Sequence, residues 1–542
     1  MRDGTKLSTE VFEIAGSKTP TILVRSAYGN RGVDFLASPV ATRGYSVVVQ
    51  ATRGSLGSEG GRGLFLDDGW GLDEKGEHWD GWDTIDWIAR QPWCDGRVGM
   101  WGGSALGAAA YYAAATGHPA LQCVRVDHAP WDIWRDSART GGGYRQGDID
   151  LFLSFMAAGT NLRQSLLERE PRDDYWRRVS PESRLEHFRI PIDHLGGWHD
   201  AFVEGTIAAF QQLQRGGGEG ARGRQRLRIG PWTHGMMGKL EQGDLVFPSN
   251  SHLPGDVFMD DVAAWFDHWL RSKALGGDKP VVYYVMGPDN QPGAPGNVWR
   301  EADSWPPPAE AFKLWLSADG SLRPKLEAAE AGDRAFRYDP NDPTPSWGGR
   351  NFLLPSGPRD QNPVEQGRSD LLVYRTDPLP IPLEIAGPVR LRLMASSDRP
   401  DTDWTAKLVD VYPDGRALLV MDTLLRARFR EGLDKVAPPL EPGRFYDYDI
   451  DVGNTAIAFD RGHRVQLTIA SAAYPRFAAN PNTGAPMSVE NGEKLIATNA
   501  IRHGSPDGSV LILPAAPGSV ARHGGRATLG GGIHRDKSAS RP

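Results

Sequence analysis

The sequence predicts an α/β fold: a parallel sheet wound with helices through the first 275 residues, a helical insertion within it, and a β-sandwich or jelly roll after it. Three observations carry that expectation. Short β-branched runs alternate with helical patterns up to about residue 275, as crossover connections between parallel strands require. Residues 136–188 break the alternation with apolar and charged stretches that hold no clear strand. Beyond the amphipathic segment 257–270 the pattern changes to many short alternating strands, introduced by Trp305 and the proline run Pro306, Pro307 and Pro308.

Taken in order, residues 21–24, 45–49, 98–101, 123–126, 190–195 and 226–229 read as strands, each followed by Gly, Pro or Asp. Residues 82–90, 108–115 and 203–213 read as the helices between them. The run 151–156 and the charged stretch 168–178 read as a helical cap. Residues 389–394, 404–411, 417–420 and 465–469 have the alternation of sandwich strands. The expected domains are therefore 1–135 with 189–275, the cap at 136–188, the jelly roll at 276–518, and a polar Gly/Ser/Arg-rich tail at 519–542.

Composition narrows the functional classes. A chain of 542 residues with 39% hydrophobic content is too long for one core. Its net charge is −7, from 61 basic and 68 acidic residues, and without a basic block nucleic acid is not an expected partner. Cys94 and Cys123 lie in apolar contexts that suit buried, inert thiols, and no cofactor or metal motif is present in the sequence. The first six residues lack an apolar signal core and no run of about 18 apolar residues occurs, so no membrane association and a cytoplasmic protein are expected. A truncated leader and a homodimer both stay open.

The most informative motif is Gly102-Gly103-Ser104-Ala105-Leu106-Gly107, set between an apolar run and the Ala-rich stretch 107–115. It predicts a strand that turns sharply into a helix with a serine at the apex. A hydroxyl held there projects from the sheet beside unpaired N–H groups and the positive end of a helix dipole. The second glycine stands three residues after the serine, where the commonest elbow has it after two.

Such a serine needs a base and an orienting acid, which in an α/β-hydrolase follow in the order Ser, Asp or Glu, His. Asp200 follows one predicted strand and His234 follows the next, both on loops at the carboxyl edge of the sheet where ligands bind in open α/β folds. Among the competitors, His199 is expected to line the pocket or face solvent, and Asp127-His128 offers an alternative acid. Asp67, Asp68, Asp73, Glu74 and Glu77 read as a solvated acidic loop. The oxyanion of acyl transfer needs donors, and the backbone N–H of Ala105 is one.

These residues, together with Met1-Arg2-Asp3-Gly4, Ser26-Ala27-Tyr28, Thr52-Arg53-Gly54, Trp93-Cys94-Asp95-Gly96, Gly197-Trp198-His199-Asp200, Gly230-Pro231-Trp232-Thr233-His234, Asp403-Trp404-Thr405 and Asn482-Thr483-Gly484, form a set that resembles the bacterial cocaine esterase group, the CocE/NonD hydrolases. That group is related to X-prolyl dipeptidyl-peptidases and α-amino acid ester hydrolases. The resemblance implies an α/β-hydrolase core, a helical cap inserted into it and a C-terminal jelly roll. It implies Ser104 as nucleophile, Asp200 as orienting acid, His234 as general base and acid, and Tyr28 as a phenolic oxyanion donor. Relatives selective for α-amino acyl groups carry carboxylates two and three residues after the triad Asp, where this chain has Phe202 and Val203. An apolar or aromatic acyl group is therefore expected, against a wall of Trp131, Phe202, Phe352 and Leu353. The expected function is a serine carboxylesterase acting on a small-molecule ester or amide. A dipeptidyl-peptidase or β-lactam acylase on the same scaffold is the alternative. A noncatalytic carbohydrate- or protein-binding protein, suggested by 18 tryptophans, is opposed by the triad order.

Overall fold

The computed structural model describes residues 1–523 apart from 30–33, 62, 64–68, 74, 157–159, 278, 290–292, 327–330, 490, 505 and 507. Nine strands form the first sheet: β1 (Thr9–Phe12), β2 (Thr19–Ser26), β3 (Ser46–Ala51), β4 (Cys94–Gly103), β5 (Leu121–Asp127), β6 (Ile192–Gly197), β7 (Arg226–Gly230), β8 (Val281–Val285) and β9 (Val298–Ala302). Their spatial order is β1-β3-β2-β4-β5-β6-β7-β8-β9. The interior pairs are parallel, and β1 and β9 close the two edges antiparallel. Buried runs such as Val47-Val48-Val49 follow from that arrangement, because a parallel sheet is covered on both faces.

One face is covered by α2 (Asp80–Ala89), α3 (Ala105–Ala114) and α7 (Val203–Gly216), the other by α1 (Asp34–Ala41) and α8 (Gly255–Arg271). All ten residues of α3 are buried, which its small alanines permit by letting the helix settle against the sheet. In α8, Val262, Trp265, Phe266 and Leu270 recur at helical spacing and form the buried stripe. A Cβ at Gly99 would lie 2.9 Å from the Phe266 ring, so a glycine in β4 makes room for that helix. The chain leaves β2 toward β3 and leaves β4 toward β5, in opposite directions across the sheet. The crevice beyond β2 and β4 is a switch point of the kind that holds ligands in α/β folds.

The insertion is helical, as expected: a π-helical turn (Ile133–Ala138), α4 (Gln146–Met156), α5 (Leu162–Glu168), α6 (Asp174–Val179) and a 3-10 segment (Pro181–His187), with one short hairpin of Arg139–Thr140 and Gly143–Tyr144. Trp134, Tyr144, Ile149, Leu153, Leu166 and Trp176 give it a small core of its own. The last region is a β-sandwich of a seven-stranded and a four-stranded sheet. Its core is continuous with that of the first region, where Trp198 and Trp305 pack with ring centroids 5.2 Å apart.

Two expected boundaries move. The first sheet does not stop at 275, because β8 pairs in parallel with β7 and extends the α/β layer to Ala302. The tail does not begin at 519, because Ser519–Arg522 forms a helical turn that buries Val520. Residues 524–542 lie outside the described residues.

Candidate active site

Ser104 stands between β4 and α3 with φ 56° and ψ −125°. Left-handed backbone is unfavourable for any residue with a side chain, and a strained serine of this kind marks a functional turn. Two backbone hydrogen bonds hold it. Its N–H donates to Asp127 O at 2.9 Å, and its carbonyl accepts the Ala108 N–H at 3.0 Å. The glycines on either side permit the approach: a Cβ at Gly102 would run into the Leu106 carbonyl, and one at Gly107 would lie 2.6 Å from Ala129 Cβ and 2.9 Å from Gly102 O. The unusual spacing now has a cause. Leu106, where the common elbow has glycine, turns its side chain into the core with Trp101 and Val262, and the close approach to the turn falls on Gly107.

Asp200 and His234 arrive on loops that are stitched together. The Trp198 N–H donates to Gly230 O at 2.8 Å and the His199 N–H to Trp232 O at 3.1 Å. Gly197 is required at the crossing, since a Cβ there would clash with Trp232 O. His234 Nδ1 lies 2.7 Å from Asp200 Oδ1, and its Nε2 lies 3.1 Å from Ser104 Oγ. With Nδ1–H donating to the carboxylate, Nε2 is free to accept from the serine. Asp200 is fully buried, which by itself raises a carboxyl group, but the charge and hydrogen bond of His234, together with the neighbouring His128, hold it below the usual carboxylate range.

Tyr28 follows β2 and is 39% exposed; desolvation of its ring against the site raises the phenol, and the neighbouring Ser104 side chain acts the other way. Ala105 opens α3, so its N–H is among those without a partner inside the helix. Next to Ser104 and Ala105 an apolar cavity of about 260 Å³ runs into the cap, lined among others by Ile133, Ile149, Phe152, Leu153, Phe202 and Phe352. The rings of Phe202 and Phe352 lie 5.4 and 5.8 Å from that of His234. Arg169 is the one charged side chain among the described lining residues, and no carboxylate is among them.

Two members of the expected wall are elsewhere. Trp131 is fully buried between α3 and α7, against Tyr111 and Phe188, with its indole N–H donated to Gln212 Oε1 at 2.8 Å. Leu353 is 38% exposed and serves through its backbone. The N–H groups of Phe352, Leu353 and Leu354 converge on the buried carboxylate of Asp148 in α4, which fixes Phe352 in place. The cap residues Ile149, Phe152 and Leu153 were not singled out from sequence, although their i, i+3, i+4 spacing is the signal of an inward helix face.

The competitors also find their places. Asp127 accepts from Trp101 Nε1 at 2.7 Å and from Arg125 at 3.0 Å, in an ion network with Asp193 and Asp261 beneath the site. His199 neither lines the acyl pocket nor faces solvent; it is buried, and burial together with Arg350 pushes it down to about 3. Glu204 accepts from Arg350 and Asn454 across the domain interface at 2.7 Å, so it is not an amine anchor. In the acidic loop Asp73 accepts the His78 N–H at 2.7 Å, whereas Asp67, Asp68 and Glu74 lie outside the described residues. Cys94 and Cys123 are buried free thiols, and no described helix is long and apolar enough to cross a membrane.

Comparison with known proteins extends these observations. Residues 3–164 and 154–236 match the model of the X-Pro dipeptidyl-peptidase (S15 family), and residues 274–512 match that of the X-Pro dipeptidyl-peptidase C-terminal non-catalytic domain. Cocaine esterase of Rhodococcus sp. (strain MB1 Bresler) is 31% identical over 95% of this chain and 97% of its own. An α-amino acid ester hydrolase structure superposes with a TM-score of 0.81 at 27% identity, covering 95% of each chain. A CocE/NonD family hydrolase from Staphylococcus aureus superposes with a TM-score of 0.72 at 18% identity, covering 95% of this chain and 92% of its own.

Proposed function

Because the chain belongs to the cocaine esterase-like (CocE/NonD) serine hydrolases, we propose that Ser104, His234 and Asp200 cleave carboxylic esters of apolar or aromatic acids through an acyl-enzyme intermediate. The observation that supports this most is the unbroken chain of contacts from Asp200 to His234 to Ser104, opening on an apolar cavity. His234 Nε2 takes the Ser104 hydroxyl proton as Oγ attacks the acyl carbon, and Asp200 stabilises the resulting imidazolium. The Ala105 N–H and the Tyr28 hydroxyl receive the oxyanion. When the tetrahedral adduct collapses, the bond to the alcohol oxygen breaks and Nε2–H protonates the departing alkoxide. Water, deprotonated by the same histidine, then releases the acid and restores Ser104.

The apolar lining selects the acyl group. A cavity of about 260 Å³ holds a benzoyl or a short branched acyl chain. An α-amino acyl group would bring a buried ammonium, which needs a carboxylate to compensate its desolvation. None is among the described lining residues, so esters are favoured over X-Pro peptides. The test is hydrolysis of p-nitrophenyl benzoate and butyrate beside an X-Pro arylamide, with fluorophosphonate labelling of the wild type and of Ser104→Ala. Ester turnover and labelling that both vanish in the variant are expected. Activity confined to the X-Pro substrate would overturn the acyl assignment, and activity retained by Ser104→Ala would overturn the nucleophile.

A further inference from the structure

We propose that His128 is a positioning residue that extends the catalytic chain to Ser104–His234–Asp200–His128, holding the second carboxylate oxygen of Asp200 so that the first stays aimed at His234. The inference rests on the triad reading above and adds a member to it.

His128 follows β5 and its side chain is buried. Its Nδ1 lies 3.5 Å from Asp200 Oδ2, the carboxylate oxygen that His234 does not engage, and the His234 ring centroid is 6.0 Å away. Neither ring nitrogen of His128 has a partner within hydrogen-bonding criteria, although both are shielded from water. Buried polar atoms without partners are rare in folded proteins, and each calls for an explanation. Here Asp200 Oδ2 is at hand, already accepting the Phe202 N–H at 3.1 Å, with room for a second donor. Hydrogen bonds of catalytic groups are often long in free enzymes and tighten when substrate binds.

The backbone gives an independent observation. His128 has φ 49°, a left-handed conformation that glycine or asparagine would adopt more easily. Its N–H is donated to Leu195 O at 2.7 Å, which locks the strained turn to β6, the strand that leads to Asp200. A bulky imidazole in such a place points to a use for its side chain. The charged and titratable groups around it are Asp200, His234 beyond it, and Arg145, which acts on Asp200 from the cap side. The adjoining Asp127 carboxylate is occupied by Trp101 and Arg125. The Trp232 ring, 6.5 Å away, packs beside the imidazole.

The consequence concerns the base. A donor on Oδ2 draws charge away from Oδ1; without it the carboxylate holds the His234 imidazolium more firmly, and the acid limb of the pH profile moves to higher pH. Three variants of the full chain test this on p-nitrophenyl butyrate. His128→Gly relaxes the backbone and removes the donor; kcat is expected to fall about tenfold, the change for one lost charge-assisted hydrogen bond, at constant KM. Its kcat/KM acid limb should shift upward. His128→Asn keeps an N–H donor and tolerates the backbone, so kcat within about threefold of wild type and an unshifted limb are expected. His128→Asp has the same shape with an acceptor in place of the donor, and should fall below the glycine variant. Wild-type kcat in His128→Gly would overturn the proposal. So would an unmoved acid limb with His128→Asn no better than His128→Gly, which is the result for a packing role. Ser104→Ala, assayed alongside, separates the two levels: activity there sinks the triad itself, whereas a dead Ser104→Ala with an unimpaired His128→Gly sinks the role of His128 alone.

Discussion

Replacing Gly107 by alanine tests whether the irregular elbow is a structural requirement of the nucleophile. The added Cβ would stand 2.6 Å from Ala129 Cβ, 2.9 Å from Gly102 O and 2.9 Å from Val126 Cγ1. Carbon atoms pack best at about 3.5 Å or more, so the first contact is about 1 Å too short. Each opposing atom is backbone or a short side chain on the first sheet or just beyond it, and no flexible end can swing away. Helix α3 must retreat, and Ser104 at its N-terminus moves with it. Overpacking of this kind destabilises by about 1–3 kcal/mol. A displacement of about 1 Å between reacting groups costs about 100-fold in rate. The expected result is a melting temperature lower by several degrees and kcat/KM on p-nitrophenyl butyrate reduced about 100-fold, with part of each recovered when Ala129→Gly is added. A Gly107→Ala protein with unchanged kcat/KM and melting temperature would refute the reasoning.

Three further outcomes are expected. Tyr28→Phe removes one oxyanion donor and should lower kcat by about 100- to 1,000-fold with an unchanged near-ultraviolet spectrum and melting temperature; a smaller loss than tenfold would leave the oxyanion to backbone donors. Phe352→Ala should raise the ratio of kcat/KM for p-nitrophenyl naphthoate over butyrate by about tenfold, because a ring facing His234 is removed from the pocket wall, and an unchanged ratio would place the acyl group elsewhere. Burial, reinforced by the Asp132 and Glu182 charges, pushes the Asp136 carboxyl up to about 6 from 3.8. The folded protein then keeps a proton at Asp136 that the unfolded chain releases, so this group's contribution to stability should fall by about 2–3 kcal/mol as pH rises from about 4 to about 6, opposing the rise that buried His199 contributes. Asp136→Asn should lose that slope in urea denaturation across the same window, and parallel curves for the two proteins would contradict the assignment.

The sequence marked the Ser104–His234–Asp200 cluster more clearly than the pocket, for a physical reason. Ser104, Asp200 and His234 each sit where a strand ends, and strand ends are marked by local apolar runs followed by Gly, Pro or Asp. What a side chain touches after that point is set by packing. Trp131, expected in the pocket wall, packs its indole instead against Tyr111 of α3 in the core. His128 was legible as a residue near the site, whereas the side of Asp200 it would face was not. The C-terminal family match begins at 274, beside the expected boundary, yet β8 beyond it joins the first sheet: its apolar run reads the same whether it closes that sheet or begins the sandwich, and its parallel register with β7, across 50 residues, leaves no local mark.

The pocket joins several separate stretches of chain, which explains why catalysis and selectivity are read so differently here. The elbow, the cap helix α4, Phe202 and Phe352 all line it, and Phe352 packs beside Phe152 of α4 with ring centroids 6.2 Å apart. Phe352 belongs to the region matched by a domain described as non-catalytic. Yet the backbone N–H groups of Phe352, Leu353 and Leu354 all end on Asp148 of the cap, so the second region and the cap fix each other and jointly set the width of the cleft. A carboxylate buried at such a junction is compensated when several N–H groups point at it, and a single missing donor leaves a strained remainder. Under the proposed function the sandwich is then part of the substrate site, because one of its loops places an aromatic ring 5.8 Å from His234. Changes in that loop alter which acid fits, while the geometry of Ser104, His234 and Asp200, anchored on β4, β6 and β7, stays as it is.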